Sequence, residues 1–238
     1  MARHLCAFAV MGALLATISG EARTPKRRQI ILCGAEAGRL GPARRRKLGL
    51  CFVPEERLGR GAVPDMSLVE NSLLTAHRRG FIKGGLIRFK AVERFANMCI
   101  EKFAVKCAGP DAEAKSLSGG NLQKFIVGRE ILQQPQVLVV AQPTWGVDVG
   151  AAAFIRQKII DLRNDGVAIL VVSEELDELF EVSDRLAVIA KGRLSPAKPI
   201  RETNVEEIGV WMSGMWPDAN DAARTLQSEE EARDAARA

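Results

Sequence analysis

Apolar positions between residues 118 and 132 follow the helical period: Leu122, Phe125, Ile126 and Leu132 share one face, and Ser118 stands where an N-cap is expected. The next run, "QVLVV" (136–140), does not alternate, which fits a strand buried on both sides of a parallel sheet. Ile155, Ile159 and Leu162, at steps of four and three, predict a helix that Asn164-Asp165-Gly166 ends. "VAILVVS" (167–173) reads as another buried strand, "EELDELFEVSD" (174–184) as a helix, and "RLAVIAKGRL" (185–194) as a strand running into a turn. Strand and helix in alternation predict a parallel α/β core.

The first half is more broken. "QIILCG" (29–34) is a short strand candidate, and "LCFV" (50–53) is another, followed by glycine and proline punctuation. Asp65 or Ser67 is placed to cap a helix starting near Leu68. From 74 to 114 polar helices interrupted by "KGG" and "CAGP" suggest a separate helical lobe. Residues 1–22 have a basic start, an apolar run and small residues, as a signal peptide does, but too few uninterrupted apolar residues to predict a transmembrane helix. The tail "SEEEARDAARA" (228–238) has few large apolar residues and is expected to fray or stay disordered.

Composition changes this picture little. In 238 residues, 47% hydrophobic and 26% charged is ordinary for a globular chain long enough to bury a sizeable core. Five cysteines, odd in number and without a CxxC pair, argue against a disulfide framework or a zinc site. Only His4 and His77 are available, so catalysis built on histidine has little to draw on. The net charge of +5 gathers in "RTPKRR", "ARRRK" and "HRR", either solvated faces or contacts to an anionic surface. No aromatic residues interleave these runs, which argues against single-strand nucleic acid stacking.

The chemistry lies in an ordered series. "LSGG" (117–120) opens a helix; small residues there let backbone N–H groups and the Ser118 hydroxyl approach a phosphate at the positive end of the helix dipole. After it come a helix, a strand, "QPTWGVD" (142–148), a helix, a strand and "VSEELDELFEVSDRLAVIAKGRL" (172–194). This order resembles the ATP-binding cassette (ABC) ATPases, whose signature is LSGGQ followed by a Walker B strand. The resemblance spans residues 12–215 and is tightest over 116–194. "FVPEERLGRGAVPDMSLVEN", "CAGPDA" and "SLSGGNLQKFIVGREILQQP" are most similar to the second cassette of two-cassette sugar and nucleoside importers, on the nucleoside-type branch.

That resemblance implies roles. Ser118, Gly119 and Gly120 match the signature that touches the γ-phosphate of ATP held by an opposing cassette, and Asn121 replaces the usual Gln. Asp148 matches the D-loop aspartate that crosses the interface, and it is equally placed to cap the following helix. Glu55 falls at the Q-loop position, where most cassettes have Gln. The departures all concern the chain's own site. No GxxxxGK[ST] is present, and the loop would fall at residues 5–11. Ala141 stands at the Walker B aspartate position, Gln142 at the catalytic glutamate and Glu174 at the switch histidine. Alanine cannot order a magnesium shell, glutamine cannot act as a base, and a carboxylate at 174 would repel the γ-phosphate.

The resemblance therefore implies an α/β nucleotide-binding domain with a parallel-sheet core, a helical subdomain and an incomplete N-terminal Walker A region. Its expected parts are a strand and helix remnant (1–28), a β-rich Q-loop region (29–73), the helical subdomain (74–116), the signature-to-switch region (117–195) and a C-terminal extension (196–238). Its implied function is to supply the signature half of a composite ATP site, with ATP and Mg²⁺ held mainly by a partner cassette. Implied partners are a catalytically intact ABC cassette, transmembrane permease subunits and, indirectly, a substrate-binding protein, at the cytoplasmic face of the cell membrane; nucleic acid is not among them. By itself the chain is expected to be inactive or very weak. Truncation within the Walker A region is expected as well. A non-functional fragment, a homodimeric ATPase and a nucleic-acid-associated cassette remain alternatives.

Overall fold

The structure is a computed structural model that describes residues 2–216; the tail for which fraying or disorder is expected lies outside the described residues. Residues 15–182 form one compact unit, and the described parts of 1–14 and 183–238 form a second. Helix α1 (Ala2–Ser19) is followed by the hairpin β1 (Ile31–Leu32) and β2 (Ala35–Glu36), then by α2 (Pro42–Lys47) and β3 (Leu50–Val53). Helix α3 (Leu68–Ala76), the hairpin β4 (Ile82–Lys83) and β5 (Leu86–Ile87), and α4 (Phe89–Lys102) come next. The remainder of the first unit is α5 (Gly119–Ile131), β6 (Val137–Ala141), α6 (Val149–Asn164), β7 (Ala168–Val172) and α7 (Leu176–Val182).

The centre is a three-stranded parallel sheet, ordered β3-β6-β7, with Cys51 beside Leu138 and Val139 beside Leu170. Parallel strands need both faces covered, and β6 has them. Leu138 and Val140 face a cluster with Phe125 and Ile126 of α5 and Ile155 and Ile159 of α6. Val139 and Ala141 face a second cluster with Leu15 and Leu50. The Arg45 guanidinium is buried beneath α1 and donates to the carbonyl oxygens of Ile18 (2.7 Å), Leu40 (2.9 Å) and Thr17. It thereby satisfies carbonyl groups at a helix end that have no partner within the helix.

Capping follows the sequence closely at α3 and α6. Ser67 Oγ accepts from Glu70 N (3.1 Å), and Glu70 Oε2 accepts from Ser67 N (2.8 Å), a reciprocal capping box. Asp148 Oδ1 accepts from Ala151 N at 2.9 Å and starts α6.

Several expectations are corrected. "VAILVVS" is not buried on both sides: β7 is the sheet edge, and Leu170 is 40% exposed. "QIILCG" is no sheet strand but half of a hairpin, turned by Cys33 and Gly34 at positive φ. The "KGG" stretch does not break a helix, since Gly84 and Gly85 at φ +59° and +80° turn the β4–β5 hairpin. The helices of this region pack onto the core that the sheet also uses. Val92, Phe95, Ala96 and Cys99 of α4 share one core cluster with Phe125 and Val140. Residues 5–11, where the Walker A loop was expected to fall, run as helical backbone within α1.

In the second unit "RLAVIAKGRL" makes no parallel-sheet strand. It forms β8 (Arg185–Leu186), β9 (Ile189–Ala190) and β10 (Arg193–Leu194), with Lys191 and Gly192 at positive φ folding β10 back on β9. β8 pairs antiparallel with β11 (Lys198–Pro199), and α8 (Val205–Met212) follows, capped by Asn204 Oδ1 accepting from Glu207 N at 2.7 Å.

Candidate functional site

The N-terminus of α5 and the loop between β6 and α6 meet, and Gly120 marks where. A Cβ there would lie 2.9 Å from Asp148 Oδ2 and 3.3 Å from the Ala151 Cβ, so only glycine fits without a shift. Gly146, at φ +59°, makes the tight turn that brings Asp148 into place. The hydrogen bond that the Asp148 carboxylate accepts from the Ala151 N–H holds it below the usual carboxylate range.

Ser118 occupies the N-cap position, but its side chain makes no capping bond. Its Oγ instead accepts from Asn121 Nδ2 at 2.9 Å, and Asn121 Oδ1 accepts from Lys106 N at 2.9 Å. The N–H groups of the first α5 turn are thus left without a side-chain cap. Such groups, at the positive end of a helix, suit an anionic oxygen. Ser118 and Gly119 lie toward solvent at the helix start, and Trp145 (56%) and Val149 (83%) are exposed in the adjoining segment.

Two polar side chains tie this surface together that motif spacing alone does not single out. Arg57 Nε donates to Gln123 Oε1 at 3.1 Å, and Gln123 Nε2 donates to the Pro143 carbonyl at 3.0 Å. A Cβ on Gly119 would lie 3.0 Å from Arg57 Nη1, so the guanidinium sits beside the α5 N-terminus. The available signals were that Arg57 follows Glu55 by two residues and that Gln123 is a polar residue on an otherwise apolar helix face.

At the C-terminal end of β6, Ala141 is fully buried and Gln142 is 5% exposed with φ +48°. Gln142 N donates to Val172 O at 2.7 Å, extending the ladder by one bond. Its Oε1 accepts from Ser173 Oγ and Glu174 N, both at 3.4 Å. Glu55 also lies here: burial, and then the Glu174 carboxylate, push its carboxyl up, while Arg60 opposes the shift. Thr144 Oγ1 donates to the buried Glu178 Oε1 at 2.7 Å and anchors the loop to α7.

Ala141 and Gln142 bring no carboxylate to a magnesium nucleotide held in cis. A hard cation requires several oxygen ligands. At the β6 end Gln142 offers one neutral amide oxygen that already accepts two hydrogen bonds, and the carboxylates beside it are those of Glu55 and Glu174, the second raising the proton affinity of the first. The α5 N-terminus, by contrast, suits a terminal phosphate.

No family model matches the chain. It is 42% identical to the nucleoside import ATP-binding protein NupA of Lactococcus lactis subsp. cremoris over 163 residues, covering 68% of this chain and 32% of that protein. It is 37% identical to the guanosine import ATP-binding protein NupO of Bacillus subtilis, covering 78% of this chain and 36% of that protein. The ribose import ATP-binding protein RbsA of Bacillus subtilis is also 37% identical, with 78% and 38% covered. The chain thus spans 32–38% of the length of these curated relatives.

Among solved structures, the dimeric ATP-binding cassette MJ0796 bound to ADP and Pi superposes with a TM-score of 0.67 at 17% identity, covering 80% of this chain and 81% of that one. That likeness carries the fold, which is an ABC nucleotide-binding domain. With its sequence relatives added, this chain belongs to the ABC cassettes, beside those of nucleoside and sugar import.

Proposed function

We propose that this chain serves a nucleoside or sugar importer by completing an ATP site on another cassette, while its own site does not turn over. The observation that carries this reading is the shared exposed surface formed by the α5 N-terminus and residues 145–149. It presents uncapped N–H groups, the Ser118 hydroxyl, the Arg57 guanidinium and exposed apolar side chains together. When bound, the magnesium nucleotide of the opposing cassette supplies the phosphoanhydride bond that is broken. The Gly119 and Gly120 N–H groups and Ser118 Oγ bind and orient its terminal phosphate, and Arg57 adds positive charge beside them. Trp145 and Val149 exclude water by packing against the opposing chain. Asp148 is committed to its cap and reaches the interface as part of a rigid turn.

The same reading assigns Glu55 and its loop to the transmembrane permease, with a substrate-binding protein acting indirectly through it. It places the chain on the cytoplasmic face of the membrane. No helix among the described residues is long and apolar enough to cross a membrane.

The experiment pairs the purified chain with a cassette that carries an intact GxxxxGK[ST] and Walker B carboxylates, such as the first cassette of a related nucleoside importer. Magnesium-dependent ATP hydrolysis by the mixture should exceed the sum of the separate chains, and Ser118→Arg should remove the excess. Equal hydrolysis with and without this chain would sink the proposal.

A further inference from the structure

The β4–β5 hairpin stands out from the core with its large apolar side chains in water. Ile82 is 45% exposed, Leu86 75%, Ile87 38% and the adjoining Phe89 64%. One side anchors it: Phe81 is buried against Phe95, their rings 5.5 Å apart, and Arg88 N donates to Phe81 O at 2.8 Å. Gly84 and Gly85 make the tip. The hairpin is held in place, yet the core it is anchored to leaves its aliphatic groups uncovered.

Its surroundings are basic. Residues 77–90 contain five Lys or Arg and no acidic residue, and residues 42–47 contain four and none. The fold brings these two runs together, with Arg78 Nη1 donating to the Ala43 carbonyl at 3.3 Å. Between them lies a groove of about 520 Å³, lined by Arg44, Lys47, His77, Arg78 and Ile82. Of the nine cations, Arg45 is held by backbone carbonyls, Arg46 by Glu130, and Arg79 by the Leu132 carbonyl and the Phe95 ring, while Arg78 and Arg88 each give one bond, at 3.3 and 3.5 Å, to the Ala43 and Gly80 carbonyls. Arg44, Lys47, Arg78, Lys83, Arg88 and Lys90 are exposed and make no ion pair among the described residues.

We infer that this face binds an anionic lipid surface directly, the hairpin's apolar side chains entering the headgroup layer and the six cations meeting lipid phosphates. Aliphatic and aromatic groups on a projecting turn, ringed by Lys and Arg that lack an acidic partner, are the composition of interfacial membrane binding. A nucleic-acid backbone would use the cations but leave Ile82, Leu86 and Ile87 in water. A matched protein pocket would not need six cations around the turn. The inference stands apart from the composite ATP site, since it requires neither nucleotide nor a second cassette.

The test is cosedimentation of the purified chain with vesicles of phosphatidylcholine alone or with about 30% phosphatidylglycerol added, at about 0.1 M salt. The chain should partition onto the anionic vesicles at least about ten-fold better than onto the neutral ones, and raising the salt should weaken that binding. Lys83→Glu with Arg88→Glu should lower it about ten-fold, as should Leu86→Asp with Phe89→Asp. A Phe89→Trp variant, which needs no charge change in the hairpin, should shift its fluorescence to the blue on anionic vesicles only. Equal binding to both vesicle types, or an unshifted emission from the Phe89→Trp variant, overturns the inference. So does tighter binding to duplex DNA than to anionic vesicles, or retention of lipid binding by both double variants.

Discussion

Arg57 and Gln123, 66 positions apart, are joined by a 3.1 Å hydrogen bond, and Gln123 passes the connection to the Pro143 carbonyl at 3.0 Å. One buried amide thereby fixes the loop after β3, the helix α5 and the turn after β6 in a single arrangement. Gln123→Ala leaves the Pro143 carbonyl and Arg57 without their partner. It should destabilise the first unit by about 1–3 kcal/mol in urea denaturation. It should also lower the excess hydrolysis measured with an intact cassette, whereas a surface change such as Gln157→Ala should not.

Gly120 has no room for a methyl group, because Asp148 Oδ2 and the Ala151 Cβ are already there. Gly120→Ala should therefore push the 145–149 turn away from α5. Stimulation of an intact cassette should fall at least about ten-fold while the chain stays folded by circular dichroism. Full stimulation by Gly120→Ala would show that the turn and the helix need not touch.

Glu130 is fully buried between Arg46 (2.7 Å) and Arg129 (3.0 Å). Burial pushes its carboxyl up, but the two guanidinium groups outweigh this and hold it below the ordinary value of 4.5. A carboxylate with a lowered folded pKa contributes stability that is complete above its unfolded value and is lost as pH falls through the folded one. Urea midpoints should thus drop as pH falls below 4.5. Glu130→Gln should cost about 3–5 kcal/mol at neutral pH by stranding two buried cations, and it should remove this part of the acid sensitivity.

Restoring one carboxylate should not restore turnover. Gln142→Glu places an acid on a residue at φ +48° that is 5% exposed, beside Glu174 and without Walker A groups. Magnesium-dependent hydrolysis by the purified variant alone should stay at the level of the unaltered chain. A clear gain would show that the cis site is poised rather than silent.

Native thiol labelling should separate the cysteines. Burial first, and then the Glu130 carboxylate, push the Cys51 thiol to about 12; Cys99, where burial again dominates, is also pushed up to about 12. Cys33 is exposed on its hairpin turn. Peptide mapping after brief alkylation should find Cys33 modified and Cys51 and Cys99 protected until denaturant is added.

Periodic and capping signals carried a large part of the fold. The α5 and α6 faces, the buried β6 run, and the Ser67 and Asp148 caps follow from local spacing, because a helix stripe and an N-cap are decided within a few residues. The glycines at 119 and 120 and the residues that end β6 were visible as a motif for the same reason. Edge status was not legible. "AILVV" and "VLVVA" read alike as buried strands, yet β6 has a neighbour on each side and β7 on one. A strand's sequence records its side chains, not how many strands pair with it.

The sequence by itself determined an α/β cassette, its signature helix, and the absence of acidic side chains at Ala141 and Gln142. Only the tertiary structure decided that Ser118 bonds to Asn121 rather than to the helix N–H groups, that Arg57 lies beside Gly119, and that Glu55 and Glu174 share one field. It alone brought the basic runs at 43–47 and 77–79 to one groove. Apart from the Ser118–Asn121 bond, which spans three residues, these are pairings between distant positions. They are set by which side chains the packed core leaves within hydrogen-bond or Coulomb range, and local spacing does not record that.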